Sequence, residues 1–130
     1  MTSVSSSLFR TVPDKDYFHL LNKGLPNGEK LVDLLRYKKK DVSEAANIPL
    51  SSVRYDQKKM PEELRERFIE WATAINLVAG FFKGDQEKTI LWFFMQNPLL
   101  GGISPRDMIR VGRFKKLLNF IQTALDENHR

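Results

Sequence analysis

Hydrophobic residues recur at helical spacing along most of the chain, and most regularly between positions 61 and 83. There they follow one another at alternating four- and three-residue steps, which predicts one long helix beginning at Pro61. The positions of this seam are Leu64, Phe68, Trp71, Ile75, Val78 and Phe82. A single helix of this kind favours a place in the core. Three further apolar residues outside the seam leave room for a dimer interface as well: Ile69, Leu77 and Phe81.

Helix-start and helix-stop residues divide the rest of the chain into shorter segments. We predict helices from Asp14 to Gly24, from Pro26 onward, from Asp85 to Met95, from Pro105 to Arg110 and from Phe114 to Leu125. No alternation of apolar and polar residues is sustained long enough to predict a strand. The pattern therefore predicts an all-α protein of seven or eight helices, in which a long helix joins a helix-turn-helix-like amino-terminal half to a small carboxy-terminal helical half.

The spacing between Lys40 and Met60 is typical of a helix-turn-helix. Asn47 lies where such motifs place a left-handed residue, and a second helix beginning near Leu50 is the predicted recognition helix. Its predicted DNA-binding residues are Ser51, Ser52, Arg54, Tyr55 and Lys58. Pro49 replaces the usual cap, and Asp56 lies where a buried apolar residue is expected. A three-helix packing unit that does not contact DNA therefore stays open as the alternative.

A stretch rich in proline and glycine, from Asn97 to Asp107, separates two strongly helical segments. Pro98 disfavours helical geometry in the residue before it, so the preceding helix should end there. The pair Gly101-Gly102 permits positive φ or close backbone approach. Ser104 is a suitable cap for a helix that begins at Pro105. By turn chemistry alone, this stretch is an ordinary connection between two helices.

Composition restricts the class of protein. The chain has 130 residues, 42% of them hydrophobic and 28% charged, and no cysteine, which excludes disulfides, cysteine–zinc sites and thiol catalysis. The net charge is +5, and residues 1–60 carry most of the excess, with 11 Lys and Arg against 7 Asp and Glu. No basic-then-apolar leader begins the chain, and the apolar run 90–95 is too short to span a bilayer. We therefore expect a cytoplasmic protein with no membrane partner.

Residues that could carry catalysis are nearly absent from the sequence. His19 and His129 lie far apart, and no phosphate-binding loop, H-E-x-x-H or G-x-S-x-G pattern occurs. Four glutamates at helical spacing are typical of a solvated helix face: Glu62, Glu63, Glu66 and Glu70. We therefore predict that the protein is not an enzyme and has no catalytic residue, cofactor or metal site.

Trp92, followed by Asn97-Pro98-x-Leu100-Gly101-Gly102-x-Ser104-Pro105, resembles the core of the toxin-binding domain in Xre/MbcA/ParS-type antitoxins. The similarity continues into Met108, Ile109, Gly112 and the pair Leu117-Leu118. The resemblance implies the antitoxin of a type II toxin–antitoxin system. Such an antitoxin blocks a cognate toxin, commonly a RES-domain enzyme that consumes NAD, and often represses its own operon. It needs no cofactor.

The resemblance also implies an organisation of the chain. Residues 1–12 are predicted to be disordered, 13–60 to form the helix-turn-helix-like region and 61–130 to form the toxin-binding domain. The predicted toxin-binding residues are Asn97, Leu100, Gly101, Gly102, Arg106, Arg113 and Lys116. The implied partners are the toxin, operator DNA and a second copy of the chain, since helix-turn-helix proteins bind paired half-sites as dimers.

Two points stay open at this stage. The basic cluster from Arg106 to Lys116 is compatible with a solvated face, with an acidic partner surface or with nucleic acid. The alternative function is a stand-alone helix-turn-helix transcriptional or DNA-associated regulator without a toxin. A scaffold protein that only binds other proteins is a third possibility.

Overall fold

The computed structural model describes residues 9–128, and within them the chain is predominantly helical, as predicted. Its helices are Gly28–Leu35 (α1), Lys39–Ala46 (α2), Glu62–Phe81 (α3), Gln86–Phe94 (α4), Pro105–Arg110 (α5) and Phe114–Asn128 (α6). These are six helices within the described range, so the prediction of seven or eight was slightly too high. No helix among the described residues is long and apolar enough to cross a membrane.

The helix predicted from Asp14 to Gly24 does not form, and a short hairpin follows in its place. The Asp16 carboxylate accepts the backbone N–H groups of Leu20 and Leu21 at 2.9 and 2.8 Å. A side chain that binds local N–H groups competes with the helix for the same donors. The chain then pairs Leu21–Asn22 (β1) with Leu25–Pro26 (β2) in antiparallel register. The expectation of no strand is therefore wrong at this position.

The recognition helix predicted from Leu50 is also absent. The structure has a single 3₁₀ turn, Leu50–Ser52, and then non-helical backbone as far as Pro61. Pro49 offers no capping side chain. Asp56 ties down the following turn, because its carboxylate accepts the Lys58 N–H at 3.0 Å and its carbonyl accepts the Met60 N–H at 2.8 Å. The two departures from the motif in the sequence therefore coincide with the loss of the second helix.

Helix α3 lies at the centre of the core, as its apolar seam predicts. Leu64, Phe68, Trp71, Ile75 and Val78 are all buried. The Trp71 ring meets the edges of two other rings, with centroids 5.5 Å from Phe68 and 6.0 Å from Tyr37. Residues outside the seam, such as Leu77, are buried too, so protein surrounds most of this helix. One cluster of buried side chains draws on both predicted halves of the chain, and their division into two domains stays a prediction.

The amino-terminal end of the described chain packs on α6. Residues 1–8 of the segment predicted to be disordered lie outside the described residues. Residues 9–11 of the same segment make specific contacts. The buried Gln122 side chain accepts the backbone N–H groups of Arg10 and Thr11 at 2.6 and 3.2 Å, and the Phe9 and Phe114 ring centroids are 6.4 Å apart. These partners are more than 100 positions apart, and local composition could not reveal them.

Candidate functional site

The loop between α4 and α5 is held closed by Asn97. Its side-chain Oδ1 accepts the Leu99 N–H at 2.9 Å, and its backbone N–H donates to the Ile103 carbonyl at 3.1 Å. Its own carbonyl accepts the N–H groups of Leu100 and Gly102 at 2.9 and 3.0 Å. One residue thus fixes both ends of the turn that contains the 3₁₀ segment Pro98–Leu100.

Gly101 and Gly102 are required by the backbone of this loop. Both have a backbone φ near +83°, which residues other than glycine rarely adopt. A Cβ added at either position would meet nothing within 4 Å. Of the two reasons predicted for these glycines, positive φ is therefore the correct one, and close approach is not. As predicted, Ser104 caps α5, since its Oγ accepts the Asp107 N–H at 3.2 Å.

An open groove of about 290 Å³, which we call the apolar groove, lies beside this loop. It is formed by α3, α4, α6 and the loop, and no charged residue lines it. The larger side chains of its lining include Phe81, Phe82, Trp92, Leu99, Phe120 and Leu125. Leu99 is 78% exposed and Phe81 is 51% exposed, far more than large apolar residues in a core. Trp92 and Asn97 of the antitoxin-like motif both line this groove.

A second depression of about 400 Å³, the basic groove, continues from the first. Leu99 and Phe120 line both grooves, so the two form one surface. Arg113 and Lys116 are the charged residues of the basic groove. Within residues 9–128, neither side chain has an ion-pair or hydrogen-bond partner of the kind that Arg106 and Arg110 have in Asp107. Four of the seven predicted toxin-binding residues therefore line this continuous surface: Asn97, Leu100, Arg113 and Lys116.

Arg106, also predicted to bind the toxin, is held by contacts within the molecule. Its guanidinium donates to the carbonyls of Leu35 and Arg36 at 2.7 and 3.0 Å, at the end of α1. It also lies over the rings of Tyr37 and Phe94, 5.1 and 5.0 Å from their centroids. These contacts satisfy carbonyls that the helix end leaves without partners. Arg106 thus joins α5 to α1 within the molecule, and it does not line the two grooves.

Tyr37 completes the contact between α5 and α1. Its hydroxyl donates to the backbone carbonyl of Arg106. Burial raises the pKa of the Tyr37 phenol well above its ordinary value, and the nearby Arg106 opposes this effect only in part. Like an ordinary tyrosine, the phenol keeps its proton at physiological pH and can donate this hydrogen bond.

The predicted DNA-binding residues lie on the 3₁₀ turn and the loop after it, not on one helix face. Ser51 is exposed and Ser52 half-buried in the turn, while Arg54 and Lys58 are exposed in the loop. Tyr55 is half-buried, and its ring centroid lies 5.9 Å from that of Phe68. Tyr55 therefore packs inward, and the structure brings Arg54 and Lys58 to the surface without a recognition helix.

A cleft of mixed polarity lies on another side of α3, between the end of α2 and the start of α6. The Glu70 carboxylate at its base is 4% exposed and accepts two hydrogen bonds from Arg67, at 2.8 and 3.0 Å. Burial raises the pKa of Glu70, and the paired Arg67 opposes this effect. Since the carboxylate is already paired within its own helix, it is a structural ion pair and not a site residue. Within residues 9–128, no group of His, Cys, Asp or Glu is arranged to hold a metal ion.

Several residues of the apolar groove were not predicted from the sequence. Phe81 was placed outside the α3 seam, with room for a dimer interface, and no role was predicted for Phe120 and Ala124 of α6. The available signal was an apolar residue on the otherwise polar side of an amphipathic helix. Each such residue is unremarkable alone, and only the packing of α3 against α6 brings them together.

The fold is thus small and predominantly helical, and its candidate site is an open surface and not a cluster of reactive groups. No family model matches the chain, and no curated protein matches it. Among solved structures it is similar to a chain from the crystal structure of the M. tuberculosis MbcT-MbcA toxin-antitoxin complex. The TM-score is 0.49 and the sequence identity 22%, over 72% of this chain and 86% of that chain. With this score and identity, the similarity by itself assigns no function.

Proposed function

We propose that this protein is the antitoxin of a type II toxin–antitoxin system and that it neutralises its toxin by covering it. The main support is that two residues of the antitoxin-like motif, Trp92 and Asn97, line the exposed apolar groove. The motif was identified from sequence alone and the groove from the fold alone. The residues of the motif and the lining of the groove therefore point to the same surface.

The geometry favours inhibition by binding. A groove with exposed Leu99 and Phe81 supplies apolar side chains, and covering them with a partner removes apolar surface from water. Asn97 fixes the loop before any partner arrives, so binding costs little ordering entropy. In this proposal the chain acts without catalysis or a cofactor. The resemblance of the motif suggests a RES-domain, NAD-consuming toxin.

Co-expression tests the proposal. The protein encoded beside this one should arrest growth when produced alone, and the wild-type chain should restore growth. Leu99→Asp places a charge in the apolar groove at a position that is 78% exposed, so folding should be preserved while rescue is abolished. Val12→Asp is the matched control, since Val12 is 77% exposed and does not line the groove. Equal rescue by both variants would remove the groove from the proposed interface.

Autorepression through DNA is the second part of the proposal, and the stand-alone regulator is its alternative. Both depend on Arg54 and Lys58, whose exposure is compatible with phosphate contact. Because no recognition helix forms there, we expect this loop to make few contacts with DNA bases. We expect Arg54→Ala combined with Lys58→Ala to weaken promoter binding. The log–log salt dependence of binding should flatten by about one unit for each phosphate that is no longer neutralised. A mobility-shift titration at two salt concentrations measures both effects, and unchanged binding would show that this loop does not contact the DNA.

A further inference from the structure

We propose that the segment of the partner that occupies these grooves is amphipathic and acidic, with apolar side chains for the apolar groove and carboxylates for the basic groove. This inference rests on the proposed function, because it concerns the same surface and names the chemistry of its partner. The resemblance of the motif indicates that a toxin binds. It does not indicate what the toxin must present.

The two grooves adjoin, and a bound segment that extends past Leu99 and Phe120 meets both. Leu99 and Phe120 lie between them and line both. A segment that places apolar side chains against Trp92 and Leu99 brings its next residues over Arg113 and Lys116. Because no charged residue lines the apolar groove, Arg113 and Lys116 determine which charge the whole surface prefers in a partner.

No acidic residue lines the basic groove, and within the described chain neither Arg113 nor Lys116 forms an ion pair. Both residues also line the mixed-polarity cleft, where Glu44 and Glu70 lie. Arg113 and Lys116 lie at the start of α6, where the positive end of the helix dipole makes further positive charge unfavourable. An acidic partner offsets this unfavourable interaction with the helix dipole, and opposite charges across an interface accelerate association.

Other occupants fit this surface less well. A second copy of the chain bound through the same face would bring a second Arg113 and Lys116 into a symmetric interface whose groove linings contain no acid. Nucleic acid would satisfy the two cations, but it would leave the adjoining groove with Phe81 and Leu99 exposed. A protein segment with both kinds of side chain satisfies both grooves.

Labelled peptides test the charge preference directly. The probe is a short fluorescein-labelled peptide with leucines at helical spacing and glutamates between them, and its counterpart carries lysines in place of the glutamates. We expect the full-length chain to bind the acidic peptide at least about tenfold more tightly than the basic one, measured by fluorescence anisotropy at low salt. The combined variant Arg113→Glu and Lys116→Glu should reverse this preference.

The matched control is Lys115→Glu. It reverses one charge on the same helix, at an exposed residue that lines the mixed-polarity cleft, as Arg113 and Lys116 do, but does not line the basic groove. It should leave the preference for the acidic peptide within about twofold of wild type. The proposal is overturned if the wild-type chain binds neither peptide or binds both equally. It is also overturned if Lys115→Glu removes the preference as fully as the combined variant, or if unlabelled duplex DNA of mixed sequence displaces the acidic peptide from the wild-type chain.

Binding of the protein encoded beside this one separates this inference from the proposed function. If that protein does not bind while the acidic-peptide preference is present and reversible, the proposed function fails and the inference about the surface stands. If that protein binds while the peptide preference is absent, the proposed function stands and the inference is overturned.

Discussion

At the scale of single residues, the Arg106 guanidinium connects the motif-bearing part of the chain to the amino-terminal part. It reaches two carbonyls at the end of α1 and lies over two rings. A lysine at this position keeps the charge but cannot make the same planar set of contacts. We expect Arg106→Lys to lower the free energy of unfolding by about 1–3 kcal/mol.

Urea denaturation followed by circular dichroism measures this decrease. Arg113→Lys is the control, because Arg113 is exposed, and its free energy of unfolding should stay within about 0.5 kcal/mol of wild type. Equal stability of the Arg106 and Arg113 variants would contradict the structural role assigned to Arg106.

Residue-scale features differ in how far the sequence predicts them. The Ser104 cap and the turn role of the two glycines depend on neighbours within a few positions, and turn chemistry is sufficient to identify them. Arg106 bonds to carbonyls 70 and 71 positions away. No periodic pattern encodes such a contact. For this reason the sequence assigned Arg106 to the partner surface together with Arg113 and Lys116.

At the scale of elements, the loop between α4 and α5 depends on the backbone conformation of Gly101. Since an added Cβ meets no atom within 4 Å, a substitution there costs backbone strain alone. We expect Gly101→Ala to lower the free energy of unfolding by about 1–2 kcal/mol, the cost of a left-handed residue with a side chain. Gly101→Asn should cost less, because Asn tolerates this region. Thermal unfolding of both variants measures the difference, and equal costs would contradict strain as the cause.

The long α3 helix was predictable because its seam extends over many residues and its side chains are buried in one core. Two predicted helices do not form, namely the first helix and the recognition helix. Both are short segments in which an aspartate binds local N–H groups. Asp16 does so before the hairpin and Asp56 after the 3₁₀ turn. In short segments one side-chain hydrogen bond outweighs a weak apolar periodicity.

At the scale of the whole molecule, α4 carries exposed apolar side chains outside the apolar groove. Leu91 and Met95, along and just after α4, are 58% and 55% exposed, and neither lines the apolar groove. The predicted homodimer stays a prediction, with this face of α4 as its candidate interface. Sedimentation of the full chain at tens of micromolar tests it, and a monomer at that concentration would count against it.

The apolar groove beside the Asn97 loop is the surface to which we assign toxin binding. Isothermal titration calorimetry of the full-length chain with the purified protein encoded beside it measures this binding without reference to growth or expression. We predict saturable binding by wild type and by Val12→Asp. Binding by Leu99→Asp should be at least about tenfold weaker, since a buried unpaired carboxylate costs more than one factor of ten. Absence of binding by the wild-type chain, or undiminished binding by Leu99→Asp, would contradict the assignment.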